Sequence, residues 1–525
     1  MRDEPSQRAA ARLLLAACLL AGLGCARPIP APRIAIPLAA GASPDSMDAA
    51  DCRRWAVWRD LGILLDEDDA ASLAAAPDTT AIAAWVDAFW RRRDPTPTTP
   101  DVNERRDEHR RRLAEARERY PDPGLQGLDV RGRDHVLFGP PDRVLEQDVA
   151  IGGFFHPRRE TWIWDRLGML AEYWDFTGDG HWTPAGMNVS ARHMTRRYAD
   201  RSPQASGDPL IPGLPVPRED YYHMKGHHGE AVAARQDAYA PEAAGEPLWA
   251  VLSVDCFQGS GNLTRVDVAH QVRVAELAFA APAGGGPSLA GLEQRAVLLD
   301  AERRTVALAE SLLVVPGNDR DRAGEILYAG GLSLVAPPGD YELALRLTDT
   351  AGGRTQLLMT PVAVPAYPAD SLAVSDILFA SLLGPRGGRA RFPRGDWDVW
   401  PHPLHAYSAA MPVRVYFEIT GLATDLAGAN HYRLEYAIRP AERRVRWRLL
   451  WLRAEAEDRA VSAALESRGE GRVARQPLTL DARGLEPGAY VLAVRVTDLL
   501  ARRTATREGR FSIVPPGDLA GVPFR

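Results

Sequence analysis

The chain has 525 residues, 46% of them apolar and 25% charged, with a formal charge of −6. That length exceeds what one core holds and predicts about three to four domains, while the apolar share excludes wholesale disorder. So small a net charge gives no broad basic field, and nucleic acid is not an expected partner. Lys225 is the only lysine beside 62 arginines, and its setting in Met-Lys-Gly excludes a phosphate-cradling Gly-Lys-Ser/Thr loop.

Residues 1–24 predict an export signal. Arg2, Arg8 and Arg12 precede an apolar run from Leu13 to Gly24. At 1.5 Å per residue that run reaches about 18 Å, too short for a hydrocarbon core of about 30 Å. It ends at Leu-Gly-Cys25, which resembles a bacterial lipoprotein signal. The resemblance implies acylation of Cys25 and anchorage facing the periplasm, with Cys18 or plain secretion as alternatives. Residues 25–45, rich in Pro and Ala, read as a tether. Cys52 and Cys256 then remain, either as a disulfide pair or as two isolated thiols.

A helical and α+β domain is expected over 46–199. Ile82, Trp85, Val86, Phe89 and Trp90 recur at helical spacing, and Asp94-Pro95 stops that helix. Thr99-Pro100-Asp101 opens a second helix running to Tyr120, its arginines and acids interleaved as on a solvated face. From 128 to 182 short β segments are expected, among them His135–Phe138 before a Gly139-Pro140-Pro141-Asp142 turn. Eight of the 13 tryptophans lie between Trp55 and Trp182, an aromatic core. Residues 200–246 read as a polar linker.

From 247 onward the alternation is β, in two blocks, 247–366 and 408–525, joined by a connecting segment over 367–407. The blocks repeat each other. Pro338-Gly339, Tyr341, Arg346 and Thr348-Asp349 return as Pro487-Gly488, Tyr490, Arg495 and Thr497-Asp498, 149 residues later. A Pro-Gly turn, a leading Tyr and a closing Thr-Asp predict two immunoglobulin-like β-sandwiches with tyrosine corners.

Residues 89–142 and the strand after them resemble the GWxTD-domain family of bacterial envelope proteins. The likeness rests on Phe89-Trp90, Arg93-Asp94-Pro95-Thr96-Pro97, Asn103-Glu104 and Arg112 to Tyr120. It continues with Arg131-Gly132-Arg133, Val136 to Asp142 and Thr161-Trp-Ile-Trp164. The naming motif is degraded, standing here as Gly127-Leu128-Asp129-Val130-Arg131. The polar residues on the matched positions are Arg93, Asp94, Arg112, Arg131, Arg133 and Asp142. An Asp94–arginine pair beneath the aromatic core would fix helix to sheet, or clamp a ligand.

Other constellations are sparser. His223, His227 and Glu230 approach a metal-ligand set, but Gly226 and Gly229 argue against a helix to align them. Asp175-Phe-Thr-Gly-Asp179 imitates half a calcium loop and reads as a turn. Trp397, Trp400 and Tyr407 suggest an interdomain latch or a stacking surface. No His-Glu-x-x-His, Gly-x-Ser-x-Gly or Gly-x-Gly-x-x-Gly signature is present.

The expectation is an exported, lipid-anchored envelope scaffold, non-enzymatic and without cofactor, binding other envelope proteins and the membrane. The alternatives are a hydrolase or glycan-processing enzyme using Asp94, Asp129 and Asp142, and a carbohydrate-binding β-sandwich protein.

Overall fold

The computed structural model describes residues 47–99, 101–123, 126–148, 158–175, 178–184, 218–234, 237–239, 246–281, 286–317, 326–387, 392–441 and 461–515. The expected signal, Cys25 and the tether lie outside them. Helices on the N-terminal side give way to largely antiparallel sheets. Among the described residues no helix is long and apolar enough to cross a membrane. The chain forms two units, Met1–Pro95 with Asn103–Pro241, and Thr96–Val102 with Glu242–Arg525.

In the first unit each of five helices starts on an Asp or Asn whose side chain takes up a free backbone N–H of the first turn. They are α1 (Ala49–Leu61), α2 (Glu67–Ala75), α3 (Thr79–Arg92), α4 (Glu104–Arg119) and α5 (Val130–Phe138), capped by Asp48, Asp66, Asp78, Asn103 and Asp129. On α3 the expected stripe is inside, with Ile82, Phe89 and Trp90 buried. The second helix begins later than Thr99–Asp101 because Asn103 is the residue whose oxygen meets the N–H of Arg106, at 2.8 Å. Leu113 and Ala116 are buried on its inner side, and Tyr120 at its end is half-buried.

Strands β1 (Arg143–Asp148), β2 (Arg158–Trp164), β3 (Met169–Asp175) and β4 (Trp182–Pro184) pair in sequence order, all antiparallel. Trp162, Trp164, Tyr173 and Phe138 meet edge to face, with ring centroids 5.2 to 5.8 Å apart. This is the aromatic core the tryptophan distribution predicts.

Two expectations fail in this unit. His135–Phe138 is the last turn of α5, not a strand: a four-residue apolar run fits either element, and the Asp129 cap decides for helix. The expected linker over 200–246 contains α6 (Arg218–Ala233), glycines included. Met224 and Ala231 are buried, Met224 against Ile163 and Leu170, so packing onto the sheet offsets the poor helix propensity of Gly226 and Gly229. Beyond it Asp237 pairs with the buried Arg105, and Ala238 N–H donates to Leu137 O at 3.2 Å.

The second unit holds two sandwich-like modules. The first comprises β5 (Ala250–Gln258), β6 (Thr264–Arg273), β7 (Ser288–Leu299), β8 (Thr305–Gly317), β9 (Leu327–Ala336), β10 (Gly339–Asp349) and β11 (Thr355–Val364). Sheets β5-β6-β9 and β11-β10-β7-β8 close over one core that includes Val266, Val268, Leu292, Leu298, Leu343 and Leu345.

The second module contains β12 (Ala373–Val374), β13 (Leu378–Pro385), β14 (Phe392–Arg394), β15 (Trp397–Pro401), β16 (Ala406–Ser408), β17 (Val413–Thr420) and β18 (Ala429–Pro440). It ends with β19 (Val461–Glu470), β20 (Ala474–Leu480), β21 (Gly488–Asp498) and β22 (Arg503–Val514). Its β22-β21-β18-β19 row repeats β11-β10-β7-β8, and β13, β17 and β20 repeat β5, β6 and β9. Residues 367–407 are therefore no connecting segment. Ile377 and Phe379 enter the module core while Leu378 and Ala380 face the other side, the alternation of an ordinary strand.

The sequence repeat falls on β10 and β21. Tyr341 O–H donates to Pro337 O at 3.0 Å and Tyr490 O–H to Glu486 O at 2.8 Å, each four residues upstream. The closing aspartates are both fully buried. Asp349 accepts the N–H groups of Ala278 and Ala351, and Asp498 those of Ala423, Leu500 and Ala501.

Candidate functional site

The polar residues singled out in the first unit are distributed over three helix ends. At the end of α3, Arg93 reaches back to Asp69 of α2 at 2.7 Å and lies 3.8 Å above the Phe89 ring. Asp94, next along the chain, is half-buried, and its N–H donates to Arg91 O.

The start of α5 carries a second group. Asp129 caps the helix through Gly132 N–H at 2.9 Å and accepts both Nε and a terminal nitrogen of Arg131, at 3.0 and 2.7 Å. Arg131 also donates to Glu160 on β2 at 2.8 Å and lies 4.0 Å above the Trp182 ring. Asp129 and Arg131 thus make a carboxylate–guanidinium contact of the kind expected at Asp94, both nitrogens meeting one oxygen. Arg133 is half-buried on the same helix, and its N–H donates to Asp129 O.

At the far end of α5 the buried Arg112 donates to Val136 O and Leu137 O, at 3.3 and 3.1 Å, and to Glu108 at 2.5 Å. It closes carbonyls that the helix leaves open. Burial alone would raise the Glu108 carboxyl, but hydrogen bonds from Arg111 and Arg112 hold it below the usual range. Gly139 has φ 78°, and a Cβ there would stand 3.0 Å from the Arg112 guanidinium, so the turn needs glycine. Asp142 is exposed and accepts Arg166 N–H at 3.3 Å.

One set escaped the sequence reading. Asp134 of α5 accepts from the Tyr173 hydroxyl on β3, and the same oxygen lies 2.9 Å from His228 Nε2 on α6. The His228 ring stacks on Trp164, 6.1 Å between centroids and 6° between planes. Burial, reinforced by Asp134, pushes the Tyr173 hydroxyl well above its ordinary range. Three residues before His228 on α6, Lys225 donates to the buried Glu172 of β3 at 2.7 Å. Chemically this is a carboxylate shared by a phenol and an imidazole beneath an aromatic lid. It ties α6 to both α5 and β3. The only signal in the sequence was the His227-His228 pair, whose partners lie 94 and 55 residues upstream.

The remaining candidates separate. His223 and Glu230 are exposed on α6, and His227 Nδ1 faces Gly168 O at 3.4 Å. Among the described residues no group of three or more His, Cys, Asp or Glu side chains is arranged to hold a metal ion. Asp175 is fully buried and accepts Gly178 and Gly180 N–H at 2.7 and 3.0 Å, which makes the imitation calcium loop an Asx-type turn. Cys52 and Cys256 are both free, Cys52 exposed and Cys256 buried. Cys256 lies in the core of its module, 1% exposed, and of the two alternatives the structure has the two separate thiols. Tyr407 is also 1% exposed and donates to Ala380 O, which removes it from any stacking surface. Trp397 packs beside Phe257, Leu378, Ala380, Val399 and Tyr416, a cluster shared by the two modules.

No family model matches the chain, and no curated protein matches it. Two solved structures show distant likeness. One is a biofilm-associated protein BSP domain, 9% identical, with 56% of each chain covered and a TM-score of 0.14. The other is red sea bream transglutaminase, 12% identical, covering 68% of this chain and 39% of that one, with a TM-score of 0.16. The chain spans about half the length of the first and two fifths of the second, and likenesses this weak carry no argument about activity.

Proposed function

We propose that this is an exported, lipid-anchored protein of the cell envelope, allied to the GWxTD-domain family, that acts as a non-enzymatic scaffold for binding other envelope proteins. The observation that carries the reading is the engagement of the family-matching side chains within the fold. Arg93 is held by Asp69, Arg112 by Glu108 and two carbonyls, and Arg131 by Asp129 and Glu160. A hydrolase reading needs carboxylates that converge on one opening. Asp94 follows the cap of α3, Asp129 caps α5 while holding Arg131, and Asp142 takes the Arg166 N–H before β1, which favours positions in the fold over a shared opening.

The two modules are read as immunoglobulin-like sandwiches. Seven strands in the order β5-β6-β9 and β11-β10-β7-β8, repeated once, support this, as do the upstream-bonded Tyr341 and Tyr490. Duplicated modules of this kind supply binding surface rather than chemistry. The membrane attachment rests on Cys25, and nucleic acid has no place among the partners.

The test is metabolic labelling with a fatty-acid analogue in the native host, followed by envelope fractionation and crosslinking. The expected result is label on the wild type, none on Cys25→Ser, and discrete crosslinked envelope proteins. Recovery of unlabelled chain still bearing Met1, or crosslinking that returns no reproducible partner, overturns the proposal.

A further inference from the structure

The two modules of the second unit meet on a face that carries buried charge. On β5 and β6 the even-numbered residues enter the first module's core, while Asp255, Phe257, Arg265 and Asp267 point away from it. Asp376 N–H donates to Cys256 O, the Asp376 carboxylate accepts Cys256 N–H at 2.7 Å, and Tyr367 O–H donates to Cys256 O at 2.8 Å. Arg394 of β14 pairs with Asp267, and Arg265 lies 3.4 Å from Glu418 of β17. Arg507 of β22 pairs with Asp376. Both Arg265 and Arg394 lie over the Phe257 ring, at 4.9 and 5.1 Å.

Acids and arginines alternate across this junction. Among the described residues four carboxylates, Asp255, Asp267, Asp376 and Glu418, face Arg265, Arg394 and Arg507, with Arg475 opposite Glu418 on the β17–β20 pair. Each carboxylate but one has an arginine within pairing distance. Asp255 is 4% exposed, stands directly opposite Asp267 across the strand pair, and receives no side-chain hydrogen bond or ion pair among the described residues. A buried carboxylate directly opposite a second carboxylate is costly when charged and cheap when protonated. The other groups around it are Cys256, Tyr367, Tyr407 and Tyr416, all pushed upward by burial and so neutral. Arg475 of β20 acts on Tyr416 and not on Asp255.

We propose that the junction is an acid-tightened lock, in which the joined modules keep one proton on Asp255 that separated modules release to water. The location of the proton is the carboxyl oxygen of Asp255, and no other group need change charge. Burial, opposed by Arg394 and Arg507, raises this carboxyl to about 7, against 3.8 when solvated. The sign follows from linkage. Between those values the closed junction holds a proton and the open one does not. Opening therefore becomes easier by about tenfold per pH unit as pH rises, and levels off above about 7.

The test uses the full chain. Hydrogen exchange at β5, corrected for intrinsic rates, is followed from pH 5 to 8, alongside carboxyl-carbon NMR of labelled aspartate. The expected result is an opening constant that rises about tenfold per unit to near neutrality and then flattens. Asp255→Asn, which mimics the protonated form, is expected to show no such rise and to keep the pH 5 protection throughout. A variant with the wild-type slope overturns the proposal, as does an Asp255 resonance that titrates in the ordinary carboxylate range. The resonance decides the matter alone if the variant does not fold.

Discussion

The two modules of the second unit share strand order and turn chemistry but differ at the same place in their cores. In the first, Gln294 of β7 is buried between His270, 2.6 Å from its oxygen, and Ser311 of β8, 2.9 Å from its nitrogen. Gln294 pairs with Leu347, whose repeat equivalent is Val496, and Val496 pairs with Leu434 of β18. Leu434 in turn faces Leu465 of β19, as Gln294 faces Ser311. A hydrogen-bonded relay thus stands where its twin has a leucine pair. What both keep is the buried Asp349 or Asp498 and the Tyr341 or Tyr490 hydrogen bond. Strand order here follows the turns and their side-chain locks, and the core between them tolerates either chemistry.

The largest test of that contrast removes a lock. Asp498→Ala leaves three backbone N–H groups without their acceptor and is expected to cost about 4 kcal/mol in chemical denaturation. Asp349→Ala, with two such groups, should cost about 2 kcal/mol. Near-equal or negligible losses would show that the turns hold themselves.

Acid should separate the modules next. His402 and His405 of the second are pushed down to about 4 by burial. The unfolded chain takes up protons near 6.5 while the folded one does not, so this stability is present above 6.5 and lost as pH falls toward 4. The loss is up to about 3 kcal/mol for each histidine. It should register in second-module exchange protection, opposite in sign to the Asp255 effect at the junction.

Gln294→Ala removes the hydrogen bonds to His270 and Ser311 and should cost about 2 kcal/mol. Combining His270→Leu, Gln294→Leu and Ser311→Leu should recover most of that loss by copying the second module, as a thermal melt would report. The smallest effect is expected from Tyr490→Phe, about 1 kcal/mol, and less from the more exposed Tyr341→Phe.

The duplication was legible because everything that marks it lies within 18 consecutive residues: Pro-Gly, the Tyr, the alternation and the Thr-Asp. The α3 stripe was legible for the same reason. By contrast α6 carries two glycines and few apolar residues. Its helix depends on a sheet more than 40 residues upstream in sequence, and no local window contains that. The 367–407 strands look like a connection because β12, β14 and β16 have two or three residues each, and β12 and β16 find partners only in β17 or β22 further on. Arg112 and Arg131 stand out in the sequence but their partners do not, since Val136 and Leu137 meet Arg112 only when α4 packs on α5, and Glu160 meets Arg131 only when α5 lies on the sheet. The Asp134–Tyr173–His228 set needed three elements at once and left no pattern in any one of them.

The Lys225–Glu172 pair has a wider implication, since it accounts for the chain's single amine-bearing side chain. Every other cation is a guanidinium, and the second unit contains no lysine at all. Guanidiniums keep their charge across the whole range in which cells operate. The positive lattice of both modules is in effect a constant background. Any change in their net charge with acidity is written by carboxylates and imidazoles alone, which makes a titration curve of this protein unusually direct to interpret.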